Sequence, residues 1–324
     1  MIDFCSDNTH GVLPEILEAM TRAAASTMTS YGGDEITARV RDRVAELFAH
    51  DVEIFPVVTG TAGNALALAS MVPSFGAVLC HEDAHIHRDE LGAPEFFSGG
   101  AKLLTIAGAN GKLSASDIQQ WPGVPSCVSV TQATEAGTLY TPGELRAIAD
   151  VGLPMHMDGA RFANALAAMD CAPADITWRA GVDVLVFGGT KNGAMAAELI
   201  VAFDKELAKE LAPRWHRAGH RLSKMRFLSA QFEAYLANDL WLRNARCANA
   251  AARRLARGLD VLRPVAANVV FVRFAPHVAA ALRAEGFAFH DWTIFGEGVV
   301  RLVCGFTTSD DDVDALLAAV QRLR

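Results

Sequence analysis

Long apolar runs are missing from this 324-residue sequence, and stretches such as Val182–Phe187 are far too short to cross a bilayer. A basic excess is missing too. Lys and Arg number 29 against 37 Asp and Glu, a net charge of −8, so there is no chain-wide footprint for nucleic acid. The six cysteines (Cys5, Cys80, Cys127, Cys171, Cys247 and Cys304) form no CxxC pair and no Cys/His spacing suited to zinc. They are expected to be reduced, mostly buried thiols. The opening Met-Ile-Asp-Phe-Cys has neither a basic n-region nor an apolar h-region, so no secretory signal and a cytoplasmic location are expected. Internal repeats, low-complexity segments and flexible linkers are absent. What remains is 51% hydrophobic and 20% charged. That is globular composition with a sizeable core and room for about two domains.

Strand and helix patterns alternate along most of the chain. Pro14–Ala25 and Ile36–Ala49 have apolar residues at helical spacing, the first with proline where a missing N–H costs nothing. Val52–Val58 reads as a buried strand running through Thr59-Gly60-Thr61 into a small-residue helix, Ala62–Val72. Further strand-length apolar runs are Ala77–Cys80, Ala101–Ile106, Ser126–Thr131, Leu153–Asp158, Val182–Phe187 and Glu198–Val201. Helical stretches at Pro142–Asp150, Ala160–Met169 and Pro173–Ala180 separate several of them. This rhythm predicts βα crossovers and a mostly parallel sheet covered on both faces. From Leu222 to Leu262 the sequence reads as long helices. Asn268–Phe274, Val278–Glu285, Phe287–Asp291, Val299–Val303 and Asp310–Leu323 then give strand, helix, strand, strand and helix. The expectation is an N-terminal segment and large domain over 1–245 and a small α+β domain over 246–324.

Ligands of open α/β sheets bind at strand ends, and four places there carry polar residues. Lys191 follows a buried strand in Gly188-Gly189-Thr190-Lys191-Asn192-Gly193. An amine held at a pocket this way suits Schiff-base chemistry, although a solvated loop lysine has the same local sequence. Asp158 ends a strand 33 residues earlier, with Arg161 in the following turn. Alone, Asp158 reads as a helix cap. Paired with Lys191, it completes what pyridoxal phosphate requires: an amine for the carbonyl and a carboxylate for the pyridinium nitrogen. Thr59-Gly60-Thr61-Ala62-Gly63-Asn64 turns a strand into a helix and reads as a generic anion site, without the GxGxxG or Walker lysine of nucleotide sites, although a simple helix cap by Thr59 or Thr61 has the same local sequence. Finally, Cys80–Gly100 holds three histidines in seven residues. His85 and His87, read as strand neighbours, share a face, but no third metal ligand is evident and no metal is expected. A planar imidazole stacked on a flat cofactor ring is the better functional reading.

These segments occur in the order found in threonine aldolases: Phe4-Cys5-Ser6-Asp7-Asn8, Tyr31-Gly32-Gly33-Asp34, Thr59–Asn64, Asp158-Gly159-Ala160-Arg161 and Thr190-Lys191. Over its whole length the chain resembles the low-specificity L-threonine aldolase branch of the aminotransferase-like, fold-type-I pyridoxal phosphate enzymes. The resemblance implies an α/β fold with a mostly parallel sheet of the seven-stranded type between helices. It also implies a lyase that cleaves β-hydroxy-α-amino acids (threonine, allo-threonine or phenylserine-like) to glycine and an aldehyde. Lys191 matches the Schiff-base lysine and Asp158 the aspartate on the pyridine nitrogen. Arg161 matches an arginine near the ring hydroxyl and the substrate carboxylate. Gly60 and Thr61 match the phosphate-holding turn, and His85 the histidine on the ring. Ser6 and Arg301 match residues that grip the substrate carboxylate. Such enzymes are usually tetramers built from dimers, and Tyr31 with Arg217, Arg221, Lys224 and Arg226 are candidates for groups lent to a neighbour. Two departures are plain. Gly188-Gly189-Thr190-Lys191 replaces the Ser-x-Ser-Lys of many relatives, and Gln132-Ala133-Thr134-Glu135 replaces Glu-Asn-Thr-His. The histidine often discussed as proton acceptor is thus absent, leaving His85, Glu135 or a water between them as the base. A β-eliminating lyase would use the same lysine, aspartate and turn. A non-catalytic phosphate-binding α/β protein would leave Lys191 unexplained.

Overall fold

The computed structural model describes residues 1–324. Its twelve strands are, in chain order, β1 (Ile2–Asp3), β2 (Glu53–Val57), β3 (Ala77–His81), β4 (Lys102–Ile106), β5 (Cys127–Thr131) and β6 (Met155–Gly159), then β7 (Val184–Gly188), β8 (Glu198–Ala202), β9 (Val269–Arg273), β10 (Phe287–Ala288), β11 (His290–Asp291) and β12 (Val299–Val303). Seven of them form one sheet in the order β2-β8-β7-β6-β5-β3-β4. Strands β3 to β7 run parallel, while β8 is antiparallel to both β7 and β2. Six of seven therefore point one way, as the strand–helix alternation predicts. Strands β6, β7 and β8 are buried at every position, which is why they read as apolar runs without alternation.

The Gly60–Met71 helix lies against this sheet with Gly63 to Ala69 all buried. Gly63 permits the approach: a Cβ built there would come within 2.6 Å of Val186 Cγ1 on β7. Several sequence expectations shift. Pro173–Ala180 is two 3₁₀ turns, Pro173–Ile176 and Trp178–Ala180, because Thr177 leaves helical geometry and its hydroxyl donates to the Pro173 carbonyl at 2.7 Å. The helical stretch 222–262 breaks at Asn238 and Asp239, both left-handed, into Arg226–Leu236 and Leu240–Arg257. Phe287–Asp291 is β10 and β11, which belong to different sheets. His85 and His87 lie on a one-turn helix, His85–Arg88, and not on a strand, so they do not share a sheet face. Cys247 is exposed, while Cys80, Cys127 and Cys304 are buried; all six are free.

A second, antiparallel sheet in the order β11-β12-β9 packs with the Pro276–Ala284 and Asp310–Leu323 helices. Its core includes Leu255, Val270, Leu302 and Leu316. The Leu240–Arg257 helix spans both cores: Trp241 and Ala245 pack in the large one, and Ala251, Ala252 and Leu255 in the small one. We propose the division between domains at 245/246, inside this continuous helix. The sequence expectation groups the N-terminal segment with the large domain, but its first residues join the small one. Strand β1 pairs with β10, and Phe4 is buried in the small core. The reason is backbone pairing, since Phe4 also donates to Ala288 and accepts from Val303, both at 2.8 Å. By Leu13 the chain has crossed to the large unit, donating to the Gly193 carbonyl at 3.0 Å. Residues 5–12 thus strap one unit to the other.

Candidate active site

The C-terminal ends of β2, β6 and β7 converge on a cavity of about 240 Å³ between the sheet and the strap. Strand β6 delivers Asp158, which lies between Thr131 of β5 and Val186 of β7 in register. Strand β7 ends at Gly188, where a side chain would strike the Ala160 carbonyl at 2.5 Å, and the next turn carries half-buried Lys191 into the cavity. The turn after β2 places Gly60 and Thr61 there, at the start of the twelve-residue Gly60–Met71 helix, with Thr59 accepting from Ala62 N at 3.1 Å.

Hydrogen bonds fix the polar groups. Asp158 accepts from the backbone N–H of Ala160 and from Asn64 Nδ2, both at 2.9 Å. Asn64 Nδ2 also donates to Glu90 Oε1 at 2.9 Å, and the same oxygen meets His85 Nδ1 at 2.9 Å. The hydrogen bond to Glu90 raises the proton affinity of His85, against the pull of burial. Arg161 gives Nε and one Nη to Asp7 at 2.7 and 2.9 Å. Burial pushes Asp7 up, but the charges of Arg161 and Lys191 and hydrogen bonds from Arg161 and Asn268 outweigh it and hold the carboxyl below its ordinary value. Beside Lys191, Glu198 accepts from Gly189 N at 2.8 Å; burial pushes its carboxyl up to about 7.

Of the residues singled out from sequence, Gly60, Thr61, His85, Glu135, Asp158, Arg161 and Lys191 line this one cavity. Ser6, Tyr31 and Arg301 do not. Ser6 accepts from Asn8 N at 3.2 Å and caps a 3₁₀ turn of the strap. Tyr31 is about half exposed and left-handed, tied by its backbone to Ser223 and Arg221. Arg301 stacks on Trp292 at 4.2 Å, and its buried Nε has no partner. It shares a face of β12 with Val299 and Val303, while Val300 and Leu302 face the small core. That face looks to the large domain, where Phe271 comes within 3.5 Å of a Cβ built on Gly137. Alternation along β12 alone slightly favours solvent for Arg301, while the family resemblance favours the cleft; the face that carries it is covered. Arg161 lines the cavity with two of its three nitrogens engaged by Asp7.

Sequence reasoning missed Asp7, Asn64, Glu90 and Glu198. The signals for two of them were charges in unusual places: Glu198 starts a fully buried strand, and Glu90 follows a histidine cluster.

The beta-eliminating lyase family model matches residues 3–280. A low specificity L-threonine aldolase from Pseudomonas sp. is 43% identical over 98% of this chain and 96% of that protein. One from Pseudomonas aeruginosa is 44% identical over 97% and 95%. Among solved structures, a Leishmania major threonine aldolase superposes with a TM-score of 0.93 at 26% identity, covering 100% of this chain and 99% of that one. Thermus thermophilus aspartate aminotransferase, at 19% identity and a TM-score of 0.72 over 100% and 92%, shares the fold alone. With agreement this even from the strap to the final helix, the chain belongs to the beta-eliminating lyase family and, within it, to the low-specificity L-threonine aldolases.

Proposed function

We propose that this chain uses pyridoxal phosphate to cleave β-hydroxy-α-amino acids of the threonine, allo-threonine or phenylserine type into glycine and an aldehyde. One observation carries the reading: Lys191 and Asp158 face a single cavity floored by the Gly60–Thr61 helix start. The residues fit the cofactor. At Gly60 an added Cβ would meet nothing within 4 Å, so the helix start has open space for a phosphate. The lining supplies one lysine amine, Lys191, and, among its carboxylates, Asp158. Buried Arg301 Nε lacks the anion that a substrate carboxylate would provide.

When bound, pyridoxal phosphate supplies an electron sink for the pair released at the substrate Cα. Lys191 offers the amine that anchors it, and Gly60 and Thr61 hold its phosphate. Asp158, kept in place by Asn64 and Ala160, holds a proton at the ring nitrogen. The planar His85 side chain, in the cavity lining, would help hold the ring. Arg301, with the free end of Arg161 and the Ser6 hydroxyl, would receive the substrate carboxylate. His85 or Glu135 accepts the β-hydroxyl proton, a contribution of roughly 10²–10⁴-fold.

Purified protein should absorb between about 380 and 440 nm and lose that band on borohydride treatment. Peptide mapping should then find the pyridoxyl group on Lys191, and Lys191→Ala should lack the band. Threonine should yield acetaldehyde. Absence of the band, or release of pyruvate and ammonia with no aldehyde, overturns the reading; the second outcome would mark a β-eliminating lyase.

A homo-oligomer, a tetramer built as a dimer of dimers, is part of the same reading. Exposed Tyr31 beside Arg221 supports it, as does an 830 Å³ surface groove lined by Phe96, Phe97 and Arg217. A fully active monomer in light scattering would exclude it. No helix is long and apolar enough to cross a membrane, and six free cysteines support a cytoplasmic location.

A further inference from the structure

Glu90 has none of its side chain exposed, and no step above uses it. Its Oε1 meets both His85 Nδ1 and Asn64 Nδ2 at 2.9 Å. The second Asn64 hydrogen goes to Asp158 Oδ2. An amide nitrogen carries two hydrogens, and here both end on carboxylates that offer no donor in return. The orientation of Asn64 is therefore set, and His85, Glu90, Asn64 and Asp158 form one continuous hydrogen-bonded chain. Glu90 Oε2 and Asn64 Oδ1 are buried without partners. That arrangement costs stability, and an apolar residue at position 90 would pack there without the cost.

An ionised Glu90 can only accept, so the hydrogen between it and His85 belongs to Nδ1. We propose that Glu90 is a positioning residue that holds His85 as its Nδ1–H tautomer, so that the bare Nε2 faces the cavity and takes the β-hydroxyl proton of the substrate. This rests on the aldolase reading above, and it selects His85 over Glu135 as the base. In the step, the substrate O–H bond breaks and an N–H bond forms at Nε2. The Cα–Cβ bond breaks to leave the aldehyde carbonyl, and its electron pair stays with the carbon that becomes glycine. That carbon then takes a proton back. The imidazolium charge faces Glu90 while it lasts. The other charged groups acting on His85 are Asp158 and Glu135, which favour its protonation, and Lys191, which opposes it.

The test uses apoprotein labelled with ¹⁵N-histidine, which reads the tautomer without turnover. The His85 signals are assigned by their loss in His85→Asn. Parent protein should show Nδ1 protonated on the basic side of the His85 titration. Glu90→Gln keeps an acceptor but removes the charge, so it should keep the tautomer and lower the midpoint by about one pH unit. Glu90→Leu should populate both tautomers. In loaded enzyme, Glu90→Gln should move the acidic limb of kcat/KM by a similar amount and leave the cofactor content unchanged. An unshifted midpoint in Glu90→Gln, or an unchanged tautomer in folded Glu90→Leu, overturns the proposal. If Glu90→Leu does not fold, the Glu90→Gln midpoint decides. An apoprotein that behaves as expected but releases no aldehyde when loaded would refute the aldolase reading and leave the positioning role standing.

Discussion

Glu198 stands at the start of an all-buried strand, one residue ahead of Leu199, and holds the backbone of the turn that presents Lys191. Its cost depends on pH. Burial pushes its carboxyl up to about 7, although hydrogen bonds from Thr190 and Gly189 and the charge of Lys191 pull the other way. An unfolded glutamate titrates near ~4.3, so the folded state binds the proton more tightly. Glu198 therefore favours the fold below about pH 4, and the advantage is lost as pH rises through about 7. The whole span is worth at most roughly 4 kcal/mol. Glu198→Gln, which cannot ionise, should flatten this slope. Urea midpoints of apoprotein at pH 5.5 and pH 8 should lie closer together in the variant than in the parent. An equal gap in both proteins would mean that the Glu198 carboxyl titrates normally.

Among the elements, the Gly60–Met71 helix packs tightly on the sheet at Gly63, and its first turn is the proposed phosphate site. Gly63→Ala would add a Cβ at 2.6 Å from one Val186 methyl and 3.4 Å from the other. The gain in helix propensity, about 1 kcal/mol, is set against overpacking of about 1–3 kcal/mol. The helix must lift from β7, and its N-terminus moves with it. The variant should melt earlier and bind pyridoxal phosphate more weakly; unchanged affinity would show that the turn does not feel the helix packing. Elements like this one were legible in the sequence where local chemistry decides them. Asp310–Leu323 reads as a helix with these same bounds, and at its N-terminus Ser309 and Asp312 make a capping box. Strands β7 and β12 were visible as apolar runs. Phe287–Asp291 was not resolved into two strands, because the split comes from partners: β1 takes one half and β12 the other. The site divides in the same way. Lys191 and Asp158 were legible from the strand ends that carry them. Asp7 and Asn64 were not, because their partners lie 26 to 261 residues away, and no local pattern records such contacts; Glu90 has His85 five residues away, but its tie to Asn64 is equally distant in sequence.

At the scale of the whole molecule, the two domains share the Leu240–Arg257 helix and the N-terminal strap. Asp7 joins them, accepting from Arg161 of the large domain and, at 3.1 Å, from Asn268 of the small one. The other cation at this boundary is in a different state. Arg301 is surrounded by apolar side chains on β12 and by Trp292, and burial first, then the neighbouring charge of Arg161, disfavours its protonated form. Its Nε is buried without an acceptor, at a cost of about 1–3 kcal/mol. A cation kept under strain in the ligand-free protein is expected where a ligand anion completes it, the usual conflict between stability and function. Arg301→Ala should therefore not lower the melting temperature of the apoprotein in the way that loss of a paired buried arginine would, at about 3–5 kcal/mol. Cofactor content should stay as in the parent, while KM for the amino acid should rise by one to two orders of magnitude, about 1.4 kcal/mol for each tenfold change. Side reactions should also increase, because the carboxylate would no longer fix the orientation of the substrate bonds at Cα. A variant that melts several degrees earlier with an unchanged KM would mean that Arg301 holds the domains together and that the carboxylate is bound elsewhere.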